Sequence, residues 1–194
     1  VNFAQGDFMM LGAFVMVGLV NPQFWGLNFW VAVPIALIIM GTFGYLLDLL
    51  VLRFMFGQSQ IAVIMLTIAL GFVIRFFAGV IWGHEPLSLH SPLAFGDFRL
   101  GDVVISLADV SVIVVTVLMT LGLWQFFQRT KLGLAMQAAS QNQMAAYYMG
   151  IPVKRVQGAV WALAGVVACV AGILYASKGT LDISSGFIGI KAFA

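Results

Sequence analysis

The chain has 194 residues, of which 62% are hydrophobic and 8% charged, against roughly 25% charged in a soluble domain. One core of this size cannot hide that much apolar surface from water, so lipid is the solvent around much of the chain. The net charge of +2 is small and scattered, which excludes a nucleic-acid-binding surface.

A spanning helix needs about 20 mostly apolar residues. The first apolar stretch, 8–20, has only 13. At 1.5 Å per residue it reaches about 20 Å, short of a hydrocarbon core about 30 Å thick. To complete a crossing it needs its polar preface, which holds Asn2, Gln5, Gly6 and Asp7. Polar groups around a glycine, next to a half-length apolar helix, suggest a broken helix whose free backbone groups could meet a solute. The alternative is an ordinary helix start, with Asp7 favourable near the N-terminus. Residues 29–52 form the next candidate span, with Asp48 near its end, one turn from Arg53. That spacing suggests an interfacial pair or a solvated carboxylate. Residues 61–82 form another, interrupted by Arg75. An ionisable group at that depth is costly and often functional. Arg75 is also near enough to Trp82 to snorkel to the outer interface. Two further spans follow, from 109 or 110 to 127 and over 158–176. In the last, Ala164, Ala168, Gly172 and Ala176 recur every fourth position, a spacing that lets helices approach closely. Cys169 lies in the same run and reads as a small packing residue. The fold class expected is all-α: a single polytopic membrane helical bundle, 1–194, with about five crossings.

Orientation follows from Lys and Arg in the connections. Residues 128–157 hold Arg129, Lys131, Lys154 and Arg155 and no acid, and 53–60 hold Arg53. These two connections are separated by two spans and so share a side, assigned to the cytoplasm. Residues 21–28, 83–102 and the tail after Ala176 then face outward, although Lys178 and Lys191 count mildly against that for the tail. The outward 83–102 connection carries His84, Glu85 and His90, too few ligands with two prolines among them to indicate a metal site. No nucleophile–base arrangement and no phosphate-cradling glycine loop is present, so no catalytic residue is expected.

The basic connection is the most informative. A helix is expected over about 134–149, stopped by Gly150 and Pro152. Leu134, Ala138, Gln141 and Ala145 would form a weak stripe along it, suited to docking in a partner's groove. A solvated connector fits the same pattern.

Within this connection, Met144-Ala145-Ala146-Tyr147-Tyr148-Met149-Gly150 resembles the coupling motif of ABC importer permeases: Glu-Ala-Ala, three residues, then Gly. Met144 stands at the Glu position. The stretch 129–156 is similar to the branched-chain amino-acid permease family, with Gln141-Asn142 where the family has an acidic pair. Val1 to Asp7 resembles the family's Asn-Phe-Ala-His-Gly-(Glu/Asp), with Gln5 in place of His. Gly186 to Phe193 resembles its Gly-x-x-x-Gly-x-Lys-Ala-Phe. The resemblance implies further spans beyond both ends of the sequence and a home in a bacterial or archaeal cytoplasmic membrane. It also implies two cytoplasmic ATP-binding subunits, a second homologous permease and an external solute-binding protein. ATP would bind the partner ATPase, with no cofactor on this chain. The residues it assigns to coupling are Gly133, Ala138, Ala139, Met144, Ala145, Ala146, Gly150 and Ile151. Those expected along the translocation path are Asn2, Gln5, Gly6 and Asp7. The competing reading is an ion-coupled secondary transporter, which would want acidic or polar ligands deep in several spans. Only the Asp7 neighbourhood and Asp109 are candidates.

Overall fold

The computed structural model describes residues 2–55, 58–89, 91, 92, 97–100 and 103–191. Val1, His90, Ala192 and Phe193, which enter the readings above, lie outside the described residues. Among the described residues, four helices are long and apolar enough to cross a membrane: α2 (Phe29–Leu50), α3 (Gln60–Trp82), α4 (Leu107–Arg129) and α7 (Val153–Lys178). The shorter α1 (Gln5–Val20) joins them in the bundle. The polar connection holds α5 (Lys131–Gln141) and α6 (Gln143–Tyr148), and the chain closes on a 3-10 turn (Ile183–Phe187) and the single-turn α8 (Ile188–Lys191).

Side chains cap the helices where the sequence offers them. The side chains of Asn28, Ser59 and Ser106 accept backbone N–H groups at the starts of α2, α3 and α4, which satisfies donors a helix start leaves free. Both basic-side helices outrun their apolar cores. α4 continues to Arg129 and α7 begins at Val153, so five residues assigned to the connection (153–157) belong to a span.

Inside the bundle, α7 packs against α1 and α2 at glycines. A Cβ on Gly44 or Gly165 would overlap the backbone of the facing helix, at Trp161 and Met40 respectively. A Cβ on Gly12 would meet Cys169, and one on Gly172 would meet the Met9 carbonyl. Backbones this close maximise dispersion contact, which drives helix association where apolar surface has no water to escape. The buried core is filled by Phe8, Met10, Phe14, Met16, Met40 and Cys169. The outer faces of α2, α3 and α4 stay exposed, with Ile38, Phe72, Phe76, Ile113, Leu118 and Trp124 turned outward as lipid-facing residues should be.

The expected outward connections are more ordered than the sequence suggests. β1 (Leu87–Ser88) pairs antiparallel with β4 (Thr180–Leu181), tying the end of α3 to the end of α7. β2 (Asp97–Leu100) and β3 (Val103–Ser106) form a hairpin leading into α4. Lys178 and Asp109 form an exposed ion pair between α7 and α4, which accounts for a lysine on the side that carries fewer cations. The tail does not simply face outward: after β4 it turns back into the bundle against α1 and α3.

Two measurements check this arrangement. In a Cys169→Ser background, cysteines at the exposed Ser140 and the exposed Glu85 should react with membrane-impermeant maleimide from opposite sides. Labelling of both from one side would sink the topology. Gly172→Val should lower thermal stability in detergent by about 1–3 kcal/mol, because the side chain has backbone, not a movable group, in its way. An unchanged midpoint would mean that α1 and α7 are not in close contact.

Candidate functional site

The four residues expected along the path gather at the buried start of α1. The side-chain oxygen of Asn2 accepts the Ala4 N–H at 3.0 Å, and its amide donates to Gln5 Oε1 at 3.2 Å. The Gln5 amide donates to the Ala164 carbonyl of α7 at 3.3 Å. Gly6 lies against the backbone of Gly186 and Gly189, where a Cβ on either partner would collide. Asp7 is 2% exposed and accepts from Arg75 Nε at 2.6 Å.

This corrects two expectations. α1 runs unbroken through Gly6 and Asp7, with the Phe8 N–H bonded to the Ala4 carbonyl at 2.9 Å. The discontinuity lies instead in the returning tail, whose 3-10 turn and α8 pack onto the start of α1. Arg75 does not snorkel to the outer interface. It is 8% exposed, about 10 Å along α3 from Trp82, and turned inward to a carboxylate. Phe187 of the returning tail covers the guanidinium, with its ring centroid 3.6 Å from Cζ, and Phe72 lies 5.4 Å away. Arg75 Nη1 is buried and makes no hydrogen bond among the described residues. The pair thus binds α1 to α3 and carries one unspent donor under an aromatic cover. The sequence shows both charges but not their meeting, since 68 residues separate them. α1 and α3 run parallel, with Gly71 beside Asp7 and Gly18 beside Trp82, and the available signal was one acid and one base, each set in its own apolar span.

The returning tail is held by Asp182. Its Oδ1 accepts the Ser184 hydroxyl at 2.6 Å and the Ser185 N–H at 2.9 Å, and Ser185 Oγ accepts the Asp182 N–H in return. These donors, the Ser184 hydroxyl first, hold its carboxyl below the usual carboxylate range. Asp182 lies outside the spans.

On the basic side, the expected single helix is two. α5 ends at Gln141, and Asn142, in extended conformation, caps α6 by accepting the Ala145 N–H at 3.0 Å. Asparagine favours such a cap over a helix interior, so the departure from the family's acidic pair sits at the joint. Thr130 ends α4 and starts α5, donating to the Phe126 carbonyl and accepting the Gly133 N–H. Gly133 must be glycine-sized, for a Cβ there would overlap the end of α4. At the far end Gly150 has φ +80°. The Gly150 N–H reaches the Tyr147 carbonyl and the Ile151 N–H the Ala146 carbonyl, each at 3.0 Å. This is the paired-bond helix stop that glycine permits.

The other residues assigned to coupling divide into two faces. Ala139 and Ala146 pack, together with Met136, which was not assigned to coupling, against Val153 and Val156 of α7, with Ile151 half-buried against them. Met144 and Ala145 are exposed and Ala138 half-buried. The Leu134, Ala138, Gln141, Ala145 stripe therefore faces away from the chain, and the packed face is Gly133, Met136 and Ala139. The most prominent exposed groups were not singled out from the sequence: Tyr147, Tyr148 and Met149, the last 83% exposed. Asp48 is 1% exposed, with Arg53 Nη2 3.8 Å from Oδ2, so it is a buried member of a loose pair rather than a solvated carboxylate. His84 and Glu85 join no group of metal ligands among the described residues.

A family model described as branched-chain amino acid transport system / permease component matches residues 1–194. The chain belongs to that family. It is similar to the high-affinity branched-chain amino acid transport system permease protein BraD of Pseudomonas aeruginosa, at 26% identity over 100% of this chain and 67% of the relative. It is also similar to the probable branched-chain amino acid transport permease protein LivH of Methanocaldococcus jannaschii, at 26% identity over 87% of this chain and 54% of the relative. No solved structure matches. The chain is therefore a multi-pass membrane permease component, and the ion-coupled reading is not favoured.

The Asp7–Arg75 pair generates a double-mutant prediction. Arg75→Met alone leaves a buried carboxylate uncompensated and should destabilise by about 3–5 kcal/mol. Asp7→Leu together with Arg75→Met should recover much of that loss in thermal unfolding in detergent. Additive losses would show that the two charges do not interact in the folded protein.

Proposed function

We propose that this chain is the membrane permease of an ABC importer, moving branched-chain amino acids or a similar small polar solute inward. Hydrolysis would occur on two cytoplasmic ATP-binding subunits. A second, homologous permease and an external solute-binding protein would complete the assembly. The observation that carries the reading is the α5–α6 pair. It stands on the basic side of the bundle, buries one face against α7, and leaves Tyr147, Tyr148 and Met149 exposed at its tip. A connector has no use for three large exposed side chains beside a fixed helix stop. A docking element needs such anchors on a rigid base.

The proposed path follows the start of α1, where Asn2, Gln5, Gly6 and Asp7 meet α3, α7 and the returning tail. In the form described here these groups are satisfied by one another, save for Arg75 Nη1. A solute carboxylate entering this neighbourhood would find that donor, with Phe187 displaced.

Met149→Glu, or Tyr148→Glu, should reduce co-purification of the ATP-binding subunit roughly tenfold or more, because each places a charge in a desolvated contact. The permease itself should remain folded in the membrane, since both positions are exposed. Ala146→Asp should behave differently, burying a carboxylate in the α6–α7 contact and destabilising the permease itself. Co-purification and solute-stimulated hydrolysis at wild-type levels in both tip variants would reduce residues 128–157 to a connector.

A further inference from the structure

Beside α6 lies a cavity of about 680 Å³, lined by Arg53, Tyr147, Tyr148, Lys154 and Arg155 among others. Three of those side chains are cations, and no acid lines the cavity among the described residues. Asp48 sits behind Arg53 but is buried and 3.8 Å away, and Arg53 Nε is itself buried without a hydrogen bond. Lys154 and Arg155 occupy the first turn of α7, which has no acid and no side-chain cap. Cations there oppose the helix dipole and weaken the helix start. An arrangement that costs stability on its own is relieved by an anion.

The position of the cavity selects the anion. Arg53 lies just beyond the end of α2 and Lys154 just inside the start of α7, so the cavity opens where the spans meet the cytoplasmic boundary. Its wall is mixed: cations and tyrosine hydroxyls beside Met144, Pro152 and Val153. That combination suits a phosphodiester attached to an apolar body, held at headgroup level by aromatic rings. We propose that this cavity is a site for the headgroup of an anionic phospholipid of the cytoplasmic leaflet. The phosphate is paired with Arg53, Lys154 and Arg155, and the glycerol lies along Val153. The site shares Tyr147 and Tyr148 with the proposed docking tip, but its readout requires no ATPase, and the cations that the test removes, Lys154 and Arg155, are not tip anchors.

The test is native mass spectrometry of the full-length permease in detergent, titrated with phosphatidylglycerol or phosphatidylcholine. Phosphatidylglycerol should bind saturably and survive collisional activation that strips phosphatidylcholine. Lys154→Gln with Arg155→Gln should weaken it on the order of 20-fold, each cation near an anionic headgroup being worth roughly fivefold. Arg129→Gln with Lys131→Gln removes the same charge from the same connection but away from the cavity, and should leave binding unchanged. All four positions lie in the polar connection or at its edge, and Lys154, Arg155, Arg129 and Lys131 are exposed, so the fold is expected to persist in both double variants. Equal retention of the two lipids, or equal loss in both double variants, would overturn the site in favour of diffuse surface charge. Glycerol 3-phosphate, added without lipid, should fail to displace phosphatidylglycerol at concentrations up to a hundredfold excess. Displacement would make the ligand a soluble phosphate and overturn the lipid assignment.

Discussion

The arrangement depends on how closely α7 approaches α1 and α2. In hydrocarbon, apolar side chains gain nothing by leaving solvent, so association must come from contact itself. Glycines at 12, 44, 165 and 172 supply it by bringing backbones together. With α7 fixed, its outer end positions β4 and the returning tail, and its inner end gives α6 a surface to pack on. The ion pair of Asp7 and Arg75 then has a dry, fixed place to form, which is the condition under which two buried charges hold each other.

A buried pair of this kind contributes less to stability than to uniqueness. Leucine and methionine could fill the same volume with no desolvation cost. What the charges add is a fixed register between α1 and α3, which the contacts of Phe14 and Gly18 with Trp82 share. Phe187 belongs to neither helix, and its ring over the guanidinium makes that register sensitive to where the returning tail lies.

Much of this was legible in the sequence wherever one helix decides its own fate. Composition alone marks spans at 29–52, 61–82, 109 or 110 to 127 and 158–176, each inside or within two residues of a long apolar helix. Gly150 announces its positive φ because only a glycine before Ile-Pro ends a helix that way. The readings that failed concern partners distant in sequence. The interfacial reading of Arg75 rests on its neighbours in sequence, whereas its partner is 68 positions away. The break at Asn142 was hidden because alanine and glutamine on both sides favour one continuous helix, and only the cap geometry separates them. The returning tail shows no apolar period at all. Its place is set by two glycine surfaces, Gly6 against Gly186 and Gly189, that hydropathy cannot register.

The joint between α6 and α7 has a mechanical consequence. Gly150 and Ile151 are bonded back to α6, and Ala146 is seated against Val153 and Val156, so the turn between the helices has no slack. α7 runs on for 26 residues, about 39 Å as a rigid rod. At Ala164 it meets Gln5, and at Gly172 it meets Met9. A small tilt imposed at the α6 tip would therefore be felt at the two turns that flank Asp7.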